Sequence, residues 1–426
     1  MAPTAGLRWA GLFVFVGLVT FMLGFGLSFF HRVVPQIQKV ALAWDDGIAQ
    51  FVGRDKVDQA NHLLGGALLL LGVILIVKGV RDGVRRVVEI LNPSMKDGKV
   101  VNVLVRRQQL AAGPRIVALG GGTGLSTLLR GLKQHSSNIT AVVTVTDDGG
   151  SSGRLSKELG IIPPGDIRNC LVALADAEKL MTDVFQHRFK NARGSLAGHS
   201  LGNLLIAGLV DQCGGDFDKA LSMASEVLNI RGRVTPSTLD QVRLRAVLED
   251  GTEVCGETAI VESGRRIRRI FLDPGEVKAF PDSLAAIREA DLIVVGPGSV
   301  FTSVIPNLLV PGISEALAEA EAPKVYVCNV MTQPGESDQF TASEHVSAII
   351  ANVDRKVFDY VVVNTGTPSS VTLEKYRSSD QYFVDPDIER IRAMGLRAIV
   401  GNFMNESDYV RHDPLKVAQR LVDLLQ

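Results

Sequence analysis

Cysteine is scarce in this chain of 426 residues: Cys170, Cys213, Cys255 and Cys328 are widely separated and stand in apolar or strand-like surroundings. That spacing excludes a disulfide framework, a zinc cluster and a CxxC redox motif, and leaves reduced thiols of a cytosolic domain. Net charge is equally small, at −1, and no basic stripe interleaved with aromatics occurs. A dedicated nucleic-acid binder is therefore excluded, and no nucleic-acid partner is expected. No glycine-rich stretch ends in Gly-Lys-Ser/Thr, so there is no P-loop, and none carries the GxGxxG dinucleotide fingerprint, whose last glycine would fall on Leu125.

Apolar residues, by contrast, are abundant, at 46%. From Leu7 to Phe30 an apolar run is interrupted only by Arg8, and a second runs from Leu63 to Val77. The first matches the ~20 residues a bilayer span needs, and the second spans with Lys78 snorkelling. A cleaved signal peptide is the rival reading of the first run, disfavoured by the length of its apolar core and by the lack of a clear small-residue cleavage site. Eight basic residues from Lys78 to Arg107 follow the second span, whereas Arg32, Lys39, Arg54 and Lys56 between the spans are balanced by Asp45, Asp46, Asp55 and Asp58. The positive-inside rule then puts both termini in the cytoplasm and residues 30–61 outside. The expected organisation is a two-helix plasma-membrane anchor (1–81), a basic tether suited to lie on anionic lipid (82–113) and a cytosolic domain (114–426).

The cytosolic part is organised around residues 115–169. A short apolar strand, 115–119, runs into Gly120-Gly121-Gly122-Thr123-Gly124-Leu125-Ser126 and then a helix. Glycines that permit close backbone approach, placed before a helix N-terminus, make an anion cradle; Gly121, Gly122, Thr123, Gly124 and Ser126 are its candidates. A second strand, Ile139 to Thr146, ends in Asp147-Asp148-Gly149-Gly150-Ser151-Ser152. Carboxylates at a parallel strand's carboxyl end can take a ribose hydroxyl or hold Mg2+ against phosphates, which makes Asp147 and Asp148 candidate metal ligands; Asx turns are the structural alternative. Next comes Pro163-Pro164-Gly165-Asp166-Ile167-Arg168-Asn169, where Asp166 suits an N-cap and Arg168, in a first turn, points to a nearby anion.

Residues 179–193 read as helix. Gly198-His199-Ser200-Leu201-Gly202 matches the GxSxG nucleophile elbow, but no buried strand precedes it, so a serine hydrolase is disfavoured. His199, Ser200 and Asn203 at the start of helix 204–210 are either ligand groups or caps. Residues 240–275 read as a small β insertion with an Asp250-Gly251 hairpin, and Arg265 to Arg269 lie on an exposed strand. Strand–helix alternation then resumes, with a second glycine loop, Gly296-Pro297-Gly298-Ser299, followed by Thr302. The fold class is α/β, a Rossmann-like, doubly wound, mostly parallel sheet. Two glycine loops at strand ends imply a cleft between them. Tyr376 could stack on a base or sugar, and Arg411 before the last helix could meet a phosphate.

The blocks GGGTGLS, VTVTDDGGSSGRL, PPGDIRNCLVALA, GHSLGNL, GPGSVFTSVIPNLLV and VYVCNVMTQPGE occur in order from residue 114 onward. Together they resemble the YvcK/CofD-like family, specifically its YvcK branch of UDP-N-acetylglucosamine-binding proteins, the gluconeogenesis factors. The resemblance implies a nucleotide-sugar binder that regulates cell-envelope precursor supply, cell shape and carbon flux, with a metabolic enzyme and a second copy as possible partners besides lipid. It also adds weight to Tyr376 and Arg411, although residues 377–382 depart from the family's acidic, glycine-containing pattern. The alternative within the family is a CofD-like transferase, which moves a phospholactyl group from a guanosine diphosphate-linked donor to a deazaflavin alcohol, with Mg2+ on Asp147 or Asp148. No residue stands out as its general base. A scaffold with a vestigial site would hardly keep every glycine and both carboxylates.

Overall fold

The computed structural model describes residues 5–30, 38–91, 100–189, 194–406 and 409–425. The chain divides into two compact units, Met1–Arg107 and Gln108–Gln426. In the first, helix α1 (Ala5–Phe25, continued by a π turn over Gly26–Phe30) pairs with α3 (Val57–Leu91), and a shorter α2 (Gln38–Val52) lies between them in sequence. Two stretches, Trp9–Ser28 and Arg54–Arg85, are long and apolar enough to cross a membrane.

What lets α1 and α3 approach is a seam of small residues at every seventh position. A Cβ on Gly17 would come within 2.9 Å of the Gly72 carbonyl oxygen, one on Gly24 within 2.7 Å of that of Gly65, and one on Gly79 within 2.8 Å of that of Ala10. The pairs run in opposite directions along the two helices, as a hairpin requires, and apolar spans associate through such close backbone packing. The outer faces carry exposed Phe15, Met22, Leu63, Leu70 and Val77. Residues 82–91, expected as tether, continue α3; residues 92–99 lie outside the described residues, and α4 (Val100–Ala111) follows.

The second unit is built on seven strands: β1 (Ile116–Gly120), β2 (Ile139–Val143), β3 (Arg233–Pro236), β7 (Leu292–Val295), β8 (Lys324–Val327), β9 (Tyr360–Asn364) and β10 (Arg397–Gly401). All pairings are parallel, and the order is β10-β9-β8-β7-β1-β2-β3. β1 and β7 are buried along their whole length, as strands covered on both faces must be. The chain first winds from β1 toward β3, then returns to β7 on the other side of β1. The switch point, and hence the crevice, falls between β1 and β7.

Between β3 and β7 lies the expected insertion: β4 (Arg243–Leu248), β5 (Glu253–Cys255) and β6 (Ile267–Asp273) form an antiparallel sheet. Gly251 takes a positive φ at the hairpin, and Asp250 accepts the Thr252 N–H. The arginines from Arg265 to Arg269 are exposed, and two of them are paired, Arg265 with Asp250 and Arg269 with Asp354. Helix α11 (Glu257–Glu262), between β5 and β6, was not expected from the alternation. A last hairpin, β11 (Met404–Glu406) with β12 (Val410–His412), precedes the C-terminal helix Pro414–Val422.

Helix α5 (Gly122–Leu132), which follows β1, is fixed at its far end by a buried lysine. Lys133 Nζ donates to the carbonyls of Ala173 (2.7 Å) and Ala175 (3.0 Å) and to Glu178 Oε2 (2.6 Å), so all three of its protons are used. The carbonyls belong to the C-terminal end of α7 (Gly165–Leu174), where a cation is favoured. Along its side, α5 touches the C-terminal helix so closely that a Cβ on Gly131 would sit 1.9 Å from the Pro414 carbonyl oxygen. Gly131→Ala must therefore shift backbone. We expect a loss of about 1–3 kcal/mol of stability in chemical denaturation, with the α/β unit still folded; an unchanged midpoint would contradict this packing.

Candidate functional site

The two glycine loops meet at the switch point. After β1, Gly121 is extended, Gly122 has φ +60°, and α5 begins. A Cβ on Gly121 would meet Asp166 Oδ2 at 2.6 Å, and one on Gly124 would meet the Pro297 carbonyl oxygen at 2.4 Å. Gly122 faces open space, with Ser303 Oγ the nearest atom at 4.0 Å. Gly121 and Gly124 are thus required by packing against the neighbouring loops, and Gly122 by its left-handed backbone. The second loop, after β7, is held by Asn329 at the end of β8, which receives the Gly298 N–H on Oδ1 (3.2 Å) and donates from Nδ2 to the Gly298 carbonyl (2.8 Å).

Together these loops line a cavity of about 380 Å3. Its walls include Gly121, Gly122, Thr123 and Gly124 on one side, Gly298, Ser299 and Ser303 on the second, and Thr332 and Gln333 beyond β8. Tyr376, Tyr409, Arg411 and His412 close the far end. Tyr376 does not offer a free ring face: it is 8% exposed, and its hydroxyl accepts the Val410 N–H at 2.8 Å. The exposed ring at this end is Tyr409, which sequence reasoning missed: it is 57% exposed and has Lys375 Nζ and Arg411 Cζ 5.4 and 5.2 Å from its ring centroid. The cavity is glycine-lined at one end and basic and aromatic at the other.

The remaining predicted residues sit outside these walls, in two groups. The first is a buried polar network. Arg168 donates to Ser200 Oγ (2.6 Å) and Asn203 Oδ1 (2.8 Å) through one terminal nitrogen and to Asn169 Oδ1 (2.8 Å) through the other. Asn203 Nδ2 donates to Ser151 Oγ (3.1 Å), which also meets His199 Nδ1 at 3.0 Å. Ser200 is fully buried and caps α9 (Leu201–Gln212) by accepting the Asn203 N–H, so it is not a nucleophile on an elbow. Ser126 turns back to the Thr123 carbonyl within α5. Thr302 is buried and donates to Glu336 Oε1 at 3.1 Å, while Gly296 ends β7 with φ +78°.

The second group is acidic. Asp166 does not cap α7, whose N-cap is Pro164; its carboxyl accepts the Gly122 N–H beneath the cradle. Burial, with the nearby Asp147 adding repulsion, raises it to about 6. Asp147 is raised by burial and accepts the Gly149 N–H (3.0 Å), while Ser152 donates to it and accepts the Gly165 N–H at 2.9 Å. Asp148 turns the other way, toward the insertion, where Oδ1 accepts both the N–H (3.0 Å) and the hydroxyl (2.8 Å) of Thr258. Two carboxyls join them that sequence reasoning passed over. Glu257, at the start of α11, is pushed up to about 9 by burial and by Asp147, Asp166, Glu336 and Asp148 around it. Glu336, 3% exposed, is pushed up to about 7 by burial, and its Oε2 has no partner.

Among the described residues no three His, Cys, Asp or Glu side chains are arranged to hold a metal ion. The two candidate Mg2+ ligands are instead engaged separately within the protein, Asp147 by the Gly149 N–H and Asp148 by Thr258.

These features define a class: a doubly wound α/β protein with a crevice at its switch point, lined by glycine loops without a lysine. Residues 116–404 match the family model described as 2-phospho-L-lactate transferase CofD, and the chain belongs to that family. It is 51% identical over 314 residues to the gluconeogenesis factor of Bacillus subtilis (strain 168), covering 74% of this chain and 98% of that protein. A relative from Nostoc sp. (strain PCC 7120) is 44% identical over 418 residues, 97% of this chain and 89% of its own length, so that match takes in the N-terminal helices. The crystal structure of a UPF0052-family protein from Bacillus halodurans superposes with a TM-score of 0.70 at 48% identity, over 72% of this chain and 99% of that one.

The raised acids have two consequences of known sign. Because the folded values of Asp166 and Glu336 lie above the unfolded ones, the stability they lend is complete below about pH 4 and is lost as pH rises through about 6 to 7. An anion in the cradle meets the same charge. Affinity for a nucleotide diphosphate should fall on the order of tenfold, about 1.4 kcal/mol, between pH 5 and 7.5, and Asp166→Asn should flatten that slope. Calorimetric titration at four pH values checks it; an identical slope in both proteins would remove Asp166 from the site.

Proposed function

We propose that the protein is a membrane-anchored binder of a nucleotide sugar, UDP-N-acetylglucosamine, and that through this binding it regulates carbon flux and cell-envelope precursor supply. The observation that carries the reading is the cavity itself: a backbone cradle with open space above Gly122 at one end, and an exposed tyrosine ring between two cations at the other. A diphosphate fits the first, since α5 begins there and the N–H groups of its first turn beyond Gly122 have no carbonyl partner within the helix. A flat ring fits the second. The kinship with proteins named gluconeogenesis factor supports the regulatory part.

Calorimetry on the full-length protein with UDP-N-acetylglucosamine, UDP-glucose and GDP tests the ligand. We expect the first to bind tightest and Gly122→Val to weaken it at least a hundredfold with circular dichroism unchanged, since each charge-assisted bond lost is worth about 1.5–3 kcal/mol. Equal affinity in Gly122→Val would rule the cradle out. The same samples with Mg2+, a guanosine diphosphate-linked lactate and a deazaflavin alcohol distinguish the family's other activity: steady release of GMP, lost in Asp148→Asn, would replace the regulator by a transferase.

The two apolar helices serve as the anchor in this reading, inserted as a hairpin with both ends cytoplasmic. The basic excess from Lys78 onward sets that orientation. A reporter fused after Gly98 should be active only if it is cytoplasmic; activity confined to an oxidising, extracytoplasmic location would reverse the topology.

A further inference from the structure

Between the two long helices the chain does not simply turn; it forms α2, and that helix has a clear division of faces. Trp44, Ile48, Phe51 and Val52 follow the i, i+4, i+7, i+8 pattern, which confines them to about 100° of the helix surface. On a helix buried in a core this face would be covered. Here Trp44 is 43%, Phe51 90% and Val52 42% exposed. Asp46 and Gln50 lie on the opposite side, Asp46 paired with Arg54 at 3.7 Å. Gly53, with φ +88°, then turns the chain into a short 3-10 turn and α3.

The height of this face relative to the apolar belt is set by a clamp. Asn61 is fully buried near the start of α3, yet it is satisfied on both sides. Its Oδ1 accepts the indole N–H of Trp44 at 3.1 Å, and its Nδ2 donates to Asp45 Oδ1 at 2.7 Å. Two residues further along α3, a rise of about 3 Å, Leu63 begins the exposed apolar surface that continues through Leu70, Ile74 and Val77. The Trp44 ring is therefore pinned within one helical turn of the edge of the lipid-facing belt, with its polar nitrogen turned inward to the protein. Tryptophan concentrates at that depth of a bilayer, where an apolar ring and a polar edge are both accommodated.

We infer that α2 is an interfacial helix that rests its Trp44/Ile48/Phe51/Val52 face on the lipid surface at the non-cytoplasmic end of the hairpin. The inference rests on the membrane-anchor reading above and adds a third, in-plane contact to its two spans. The occupant is lipid because Trp44, held by Asn61, stands within a helical turn of the exposed belt of α3, and because the face is small, one large aromatic and three aliphatic or aromatic neighbours, the size that dips into a headgroup boundary.

The chain has two tryptophans, so Trp9→Phe leaves Trp44 as the sole indole reporter. The full-length variant is reconstituted in phosphatidylcholine and phosphatidylglycerol vesicles containing lipids brominated either near the headgroup or near the chain end. We expect blue-shifted emission, at least twofold stronger quenching by the shallow bromines than by the deep ones, and a loss of more than half of that quenching when Phe51→Asp is added. A chain that floats with the vesicles while its Trp44 is quenched by aqueous iodide and not by either lipid overturns the interfacial helix and leaves the anchor standing. A Trp44 shielded from both quenchers also overturns it, in favour of a second copy covering the face. A chain that does not float removes the anchor and the inference together.

Discussion

The constraint on which the α/β unit depends is the approach of two backbones without side chains between them. The first turn of α5 lies against the Pro297–Gly298 peptide so closely that Gly124 cannot carry a Cβ, and Gly121 is held as tightly against Asp166 and Thr144. Because β1 and β7 are hydrogen-bonded neighbours, their loops emerge side by side, and only glycine lets both remain there. The open volume above Gly122 is what remains once those contacts are made. Everything that fixes α5, from the fully used Lys133 to the close passage of Gly131 beneath Pro414, holds that volume in place. The cradle is in this sense a property of the sheet's topology, and its chemistry is almost entirely backbone.

Behind the cradle the protein spends buried polar groups freely. Arg168 is 7% exposed and binds three side chains of the neighbouring segments, so its charge is tied into hydrogen bonds rather than opposed by one carboxylate. Such a network fixes geometry when each member is satisfied. Its Nε and Glu336 Oε2 are exceptions, each buried without a partner. The neighbouring carboxyls respond as burial demands, with raised values that favour the neutral acid. A site that neutralises its own acids accepts an anion more readily than one lined with full charges.

How much of this was legible in the sequence follows the range over which each interaction acts. Buried strands read as apolar runs, and two of them running into glycines place a crevice, because period and punctuation are local. Asp166 was misjudged as a cap for the same reason: three residues of context suggest a helix start, whereas its partner, the Gly122 N–H, is far off in the chain. Tyr376 and Tyr409 could not be ranked, since one is buried and one exposed only after β12 has paired with β11. Glu257 and Glu336 gave no local signal at all; each joins the buried acidic group because the insertion brings Glu257 near Asp147 and Glu336. The small-residue seam of the hairpin was present at every seventh position, but its meaning depends on knowing that the two apolar helices pack against each other.

The insertion ties these scales together. It carries no strand of the main sheet, yet it touches the acidic group behind the crevice at three points: Thr258 holds Asp148, Glu257 enters that group, and a Cβ on Gly335, in the loop that bears Glu336, would lie 2.3 Å from the Val261 carbonyl oxygen. Its other side is latched to the helix Ala342–Val353, whose Asn352 accepts the Ile270 N–H at 2.8 Å. A displacement of α11 would therefore release one carboxylate, move a second and loosen the loop of a third, while β1, β7 and the glycines stay where they are. The glycine loops thus depend on the sheet, whereas the positions of Asp148, Glu257 and the loop bearing Glu336 depend on the insertion.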